Sequence, residues 1–366
     1  MIPRLPNELL LEVCGQVTSQ HDLFSLRSAN RTLHAIASPR AKFHTLHVTD
    51  TRTSAAGPVH LAKSPNIARF VKEISFQEKS FFDSSEIYKQ AGFSSLKTAY
   101  TSLGLIPNLK HLTFDFRTDF AEQVPWTMIG LGEFVASQWL LLQWMLLEAV
   151  TGNTFPHPSL RSLKINSLLP FTHNLYYEPE FEALVASVQH LDISALHGAE
   201  TFIEEELEYF IDHQFAFWDT FSTYILRPAT ALRTFAHLTS LTLCTVLFMD
   251  TVPGGREGIE DCIVRHKSTL LTLKLRTCSM EVPDELEEEQ DSVTPRLWAD
   301  VWKRFAKELG ALRGFEVMFD VNNYLTYLGE NEEPGDIKHA PGWELDNPAL
   351  AALQDAVTAR RKRFEI

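Results

Sequence analysis

Residues 270–278 read Leu270-Leu271-Thr272-Leu273-Lys274-Leu275-Arg276-Thr277-Cys278. Leu273 and Leu275 alternate with polar residues, the period of a strand with one face buried. Leu270 adds an apolar residue three positions earlier. The same apolar-x-x-apolar-x-apolar spacing occurs at Phe43–Leu46–Val48, Val71–Ile74–Phe76, Leu109–Leu112–Phe114 and Leu160–Leu163–Ile165. It recurs at Val188–Leu191–Ile193, Leu238–Leu241–Leu243 and Leu312–Phe315–Val317. A chain with 45% hydrophobic residues throws up roughly five strict copies by chance, so the count by itself carries little. Context adds weight: several copies follow a polar or small residue, and helix-like stretches separate them.

The 270–278 segment fits the leucine-rich-repeat template L-x-x-L-x-L-x-x-N/C, and Leu168, Leu196 and Val246 keep an apolar residue at its last position. The intervals between central anchors are 28, 38, 51, 28, 50, 32 and 42 residues, longer than the roughly 20–29 of a regular repeat. The chain therefore resembles the divergent leucine-rich solenoids. That resemblance implies an α/β fold, with parallel strands inside and helices outside. Apolar strand residues then point inward. An outward row runs His47, Ser75, Thr113, Lys164, Asp192, Thr242, Lys274 and Glu316, and a second Thr49, Gln77, Asp115, Asn166, Ser194, Cys244, Arg276 and Met318. His47, Lys164, Asp192, Lys274, Arg276 and Glu316 are the candidate target-binding residues, on a face that any solvated sheet would also show.

Upstream, residues 3–40 read as three short helices. Pro6 suits a first helical turn, and Leu9, Leu10, Val13 and Val17 follow at helical spacing. After a polar break at residues 18–21, Leu23, Phe24 and Leu26 form a second apolar face. Asn30 is placed to cap a third helix carrying Leu33 and Ile36, with Ser38-Pro39 as its expected end. About forty such residues seldom make a stable domain alone, so Leu5, Leu9 and Leu10 need a covering surface.

Leu5-Pro6, Glu8, Leu9-Leu10, Val13, Val17, Asp22-Leu23, Leu26-Arg27 and Leu33 together resemble an F-box of fungal type. Val17 replaces a usual leucine, and Thr32-Leu33 stands where many members have a basic residue and Trp. The resemblance implies domains at 1–40 (F-box) and 41–366 (divergent solenoid with a C-terminal capping helix). It also implies docking on a Skp-type adaptor, and through it a cullin–RING ligase, with Leu5, Pro6, Leu9, Leu10, Val13, Leu23, Leu26 and Arg27 as contacts. The expected function is target recognition for a ubiquitin ligase of the Skp adaptor–cullin–F-box type. The rival readings are a non-degradative scaffold and a hydrolase whose N-terminal helices form a cap.

Composition bounds the rest. The 366 residues carry 33 Lys+Arg against 47 Asp+Glu, a net charge of −14, which disfavours general nucleic-acid binding. Acids concentrate in residues 281–291, with seven, and between Glu200 and Asp212, with six. The first is read as a solvated loop or else a patch for a basic partner, and the aromatic-rich 202–226 as core or insertion wall. Four cysteines (Cys14, Cys244, Cys262 and Cys278) form no C-x-x-C pair, so neither a zinc ribbon nor a disulfide scaffold is expected. Glu8 and Glu12 interrupt any signal-peptide core. The apolar run Trp139–Val150 is too short for a bilayer and reads as a buried helix. A cytoplasmic or nuclear location is expected.

No phosphate-binding loop, Gly-x-Ser-x-Gly elbow or His-Glu-x-x-His occurs. Gly254-Gly255 reads as a turn, and His44 and His47 fall on opposite faces of a strand. No catalytic residue, metal or cofactor is expected. A helix with Thr294 as cap carries Trp298, Val301, Trp302, Phe305 and Leu309 on one face. A C-terminal helix buries Leu350, Leu353 and Val357 and ends in Arg360-Arg361-Lys362-Arg363, cations suited to the helix dipole or to a nuclear-import signal.

Overall fold

A computed structural model describes residues 6–17, 20–29, 31–79, 90–116, 141–151, 160–168, 179–195, 235–248, 259–281, 296–318, 326–328 and 343–364. The chain is α/β, with an eight-stranded parallel sheet and helices between the strands. The strands are β1 (Thr45–Thr49), β2 (Glu73–Gln77), β3 (His111–Asp115), β4 (Ser162–Leu168), β5 (His190–Ala195), β6 (Ser240–Cys244), β8 (Thr272–Arg276) and β10 (Gly314–Met318), in that spatial order. Each of the eight copies of the sequence pattern supplies one of them. Short β7 (Leu247–Phe248), β9 (Ser279–Glu281) and β11 (Thr326–Leu328) form a second, three-stranded parallel sheet.

The chain divides into two compact units, residues 1–115 with 145–160, and 116–144 with 161–366. In the first, helices α1 (Asn7–Gln16), α2 (Gln20–Ala29) and α3 (Arg31–Phe43) precede β1. The expected stop at Pro39 does not occur: α3 passes through it to Phe43, although an internal proline removes one helical hydrogen bond. Strands β1–β3 pair Leu46↔Ile74↔Leu112 and Val48↔Phe76↔Phe114. α4 (Arg52–Ala62), α5 (Pro65–Ala68) and α6 (Gln90–Thr101) supply the helical side. Tyr100 of α6 is buried with its ring against Phe76 and Phe114, at 6.2 and 5.7 Å between centroids.

In the second unit the register Leu163↔Leu191↔Leu241↔Leu273↔Phe315 continues through five strands, with Ile165↔Ile193↔Leu243↔Leu275↔Val317 beside it. Residues 141–151, overlapping the run Trp139–Val150, are helical (α7) and mostly buried, as expected; 141–144 belong to this unit and 145–151 to the first. Its polar Gln143 is buried and donates to Ser167 O at 3.1 Å, so the amide is satisfied. α8 (Pro179–Ala186), α9 (Ile259–Arg265), α10 (Trp298–Glu308) and α11 (Asp346–Phe364) complete the unit. Trp298, Val301, Trp302 and Phe305 of α10 and Leu309 after it are buried, as are Leu350, Leu353 and Val357 of α11.

Three local features recur at fixed positions of the copies. The carbonyl one residue after the first apolar position accepts two consecutive N–H groups of the next copy. His44 O receives Lys72 and Glu73, Lys72 O receives Lys110 and His111, and Arg161 O receives Gln189 and His190. Gln189 O then receives Thr239 and Ser240, Thr239 O receives Leu271 and Thr272, and Leu271 O receives Arg313 and Gly314. Ser167, Thr245 and Thr277, each seven residues after the first apolar position, have φ of 55°, 53° and 49°, a conformation that branched residues rarely adopt. The backbone turns there and aims the next residue inward: Leu168 and Val246 are buried. At Cys278 the thiol instead contacts the carbonyls of Leu243 (3.7 Å) and Arg276 (3.5 Å).

Several sequence expectations fall outside the described residues. They include the Asn30 cap, the Thr294-Pro295 cap, Leu196, Gly254-Gly255, the Glu200–Asp212 acids, the aromatic stretch and nearly all of the 281–291 acid run.

Candidate interaction surfaces

The three N-terminal helices enclose a small core of Cys14, Leu23 and Ala37, with Val17, Leu26, Leu33 and Ile36 packed against it. Forty residues cannot cover more, and apolar side chains are left over. On α1, Leu9 is 48% and Val13 50% exposed, and Leu11 and Phe24 are exposed as well. At 100° per residue, Leu9 and Val13 lie within about 40° of each other, on a flank of α1 beside the inward-facing Leu10, Cys14 and Val17.

The residues expected to meet an adaptor therefore separate by role. Pro6, Leu9 and Val13 are exposed; Leu10, Leu26 and Arg27 are half-buried; Leu23 is 1% exposed and faces the module's own core. Leu5 lies outside the described residues. Leu23 packs with Cys14 and Ala37 in that core. Sequence reasoning grouped it with the others because burial within the module and burial against a partner leave the same apolar spacing. Phe24 and Leu11, not among the expected contacts, are exposed, and the Arg27 guanidinium lies 5.2 Å from the Phe24 ring centre. Beside this, Gln16, Val17, Asp22, Ser25, Leu26 and Ala29 line an open depression of about 540 Å³.

The second surface is the outward face of the strands. His47 is exposed on β1, in the first unit. In the second unit Lys164 and Asp192, register partners on β4 and β5, approach to 3.4 Å. Lys274 on β8 and Glu316 on β10 are also register partners, at 2.7 Å, and Arg276 reaches the other oxygen of Glu316 at 3.3 Å. The hydrogen bond from Lys274, with Arg276 beside it, holds the Glu316 carboxyl below its ordinary range. The expected target-binding charges thus form cross-strand pairs of their own. Such half-exposed pairs contribute little to stability and can exchange partners. Thr242, between the two groups, is nearly buried.

Among the described residues no three His, Cys, Asp or Glu side chains converge as a metal site, and no helix is long and apolar enough to cross a membrane. Burial pushes the Cys278 thiol up to about 12 and raises Cys262 as well, the opposite of an activated nucleophile. The four cysteines are unpaired. Glu260 and Asp261 of α9 are tied to Arg296 and Arg304 at 2.6–3.0 Å, a network that fastens α9 to α10.

No protein-family model matches the chain, and no curated protein is significantly similar to it.

Proposed function

We propose that this chain is the target-recognition subunit of a Skp adaptor–cullin–F-box ubiquitin ligase. α1–α3 form the F-box and dock on the adaptor, and the strand-and-helix copies form a divergent leucine-rich solenoid that carries a protein target. The observation that carries the reading is the flank of α1. Leu9 and Val13 lie about half exposed while Cys14, Leu23 and Ala37 are buried in the module's small core, and the surrounding residues follow the F-box spacing. Side chains of this kind bind by filling a groove in a partner's helical layer. The solenoid half is supported by the strand order, by the repeated two-to-one carbonyl contacts and by the left-handed residue at one fixed position of three copies. The ligase partners supply the ubiquitin-transfer chemistry. This chain supplies proximity, holding target and ligase at high effective concentration.

Expression of the full chain with a Skp-type adaptor tests the reading. The expected outcome is a stable one-to-one complex that, joined to the cullin and RING subunits, ubiquitinates a protein captured by the chain. A complex that forms but never promotes ubiquitination indicates the non-degradative scaffold. A chain that purifies free of the adaptor contradicts the docking assignment and returns the hydrolase reading.

A further inference from the structure

We infer that the target presents an acidic segment, held by cations at the edge of the first unit where strands β1–β3 begin. The inference rests on the target-recognition reading for its protein partner; the sign of the partner's charge comes from the structure.

Charge is divided unevenly between the two units. The first has 13 Lys+Arg and 10 Asp+Glu, 13 − 10 = +3. The second keeps 33 − 13 = 20 against 47 − 10 = 37, or 20 − 37 = −17. Within the first unit, residues 51–72 carry Arg52, Lys63, Arg69 and Lys72, and residues 87–114 carry Lys89, Lys97 and Lys110, with no acid in either stretch. Asp50 and Glu78, which lie close by in sequence, are buried.

The fold gathers several of these cations. His44, Lys72 and Lys110 each stand one residue before a strand, and the strands pair Thr45↔Glu73↔His111. His44 O receives the Lys72 N–H, and Lys72 O receives the Lys110 N–H. Neighbouring strands lie about 4.8 Å apart, so the three positions form a row. Asn108 Nδ2 donates to Arg69 O at 2.7 Å, which brings the turn after α5 to the same edge. Lys63 stands at the other end of that one-turn helix. Burial and the charge of Lys72 lower the His44 pKa, although Glu73 pulls the other way.

Lys63, Arg69 and Lys110 are exposed and form no ion pair among the described residues. The Arg69 guanidinium lies 4.9 Å from the Phe70 ring centre, a contact that leaves its charge uncompensated. Glu73 at this edge accepts from the Thr45 hydroxyl at 2.9 Å. The cations expected to meet a target in the second unit differ: Lys164, Lys274 and Arg276 are each paired with a carboxylate. A target that exploits unpaired charge therefore meets it at the start of β1–β3, and that charge is positive.

Other polyanions fit less well. Charge is screened over about 8 Å at physiological salt. A short acidic segment at this edge responds to the cations within that distance. A duplex or an anionic membrane extends far beyond it and is opposed by the chain's net charge of −14. Single-stranded nucleic acid stacks its bases on open aromatic rings, and the Phe70 ring is engaged by Arg69.

The test measures binding of the full chain and of a Lys63→Ala/Arg69→Ala/Lys110→Ala variant to a Glu-rich peptide and to its Gln-for-Glu counterpart. Duplex DNA and phosphatidylserine vesicles are parallel probes. The expected result is saturable, salt-sensitive binding of the Glu-rich peptide alone, at least about tenfold weaker in the variant. Equal binding by both proteins, or no peptide binding by the native chain, overturns the inference, as does binding of DNA or vesicles in place of the peptide. Titration with a Skp-type adaptor separates the two levels. A chain that takes the adaptor but not the peptide overturns the inference and keeps the target-recognition reading; one that takes the peptide but not the adaptor keeps the acidic docking and overturns that reading. An unchanged thermal midpoint confirms that the variant is folded. If it shifts, Lys63→Glu/Lys110→Glu, which spares the Arg69 contact with Phe70, replaces it with the same expected loss.

Discussion

Single residues carry two predictions. The Tyr100 hydroxyl is buried and has no hydrogen-bond partner among the described residues, and burial raises its pKa well above the ordinary tyrosine value. A buried hydroxyl without a partner costs about 1–3 kcal/mol, while the ring itself packs on Phe76 and Phe114. Tyr100→Phe should therefore stabilise the protein by about 1 kcal/mol, read as a shift in the denaturation midpoint; a clear loss would show that the hydroxyl has a partner. His266 gives a pH dependence. It is buried, edge-on to Phe235, and burial, with Arg265 beside it, lowers its pKa from 6.5 to about 4. The unfolded chain then binds the proton more readily than the folded one. Its contribution is present in full above pH 6.5 and is lost as the pH falls towards 4, by on the order of 3 kcal/mol at the lower end. Against His266→Phe, the wild-type stability should decline by that extra amount between pH 7 and 4. Parallel pH curves for the two proteins would contradict it.

At the scale of elements, the strands were legible in the sequence and their surroundings were not. Alternation such as Leu273-Lys274-Leu275 is imposed by a sheet with one buried face, so it marks strands wherever they occur. The helix stop at Pro39 was misread because packing of α3 outweighs the local preference of a proline. Leu23, buried in the module's core, could not be told from the exposed Leu9 because spacing reports an apolar face without saying what covers it. The pairing of Lys274 with Glu316 was invisible, since register partners stand 42 residues apart and only the fold aligns them. The clamp on α10 was equally hidden. The Asp346 carboxylate accepts from Ala299 N–H at 2.7 Å, at the N-terminal end of α10, and Arg360 donates to its last carbonyls. α11 therefore runs parallel to α10 and complements its dipole at both ends. Asp346→Ala and Arg360→Ala should each cost about 1–2 kcal/mol. Lying at opposite ends of the helix, the two losses should be additive within about 0.5 kcal/mol. Chemical denaturation of both single variants and the double one measures this; unchanged midpoints would show that apolar packing alone holds α11.

For the whole molecule, the copy-to-copy regularity sets where variation is tolerated. The carbonyl contacts and the bend after the strand recur although the anchors are spaced irregularly, so the extra length falls between strands, where loops accept insertions at little cost. Apolar residues sealed inside the copies support the fold, and the apolar residues on the flank of α1 remain available to another protein. Burying the exposed half of Leu9 and Val13 on association is worth about 1 kcal/mol each, and charges in their place would be driven into an apolar groove at further cost. The deciding measurement is calorimetric titration of a Skp-type adaptor into the full chain and into Leu9→Asp/Val13→Asp, with circular dichroism confirming that both are folded. The account predicts tight one-to-one binding by the native chain and affinity at least about 1000-fold weaker in the variant. Equal affinities, or no binding by the native chain, would contradict it.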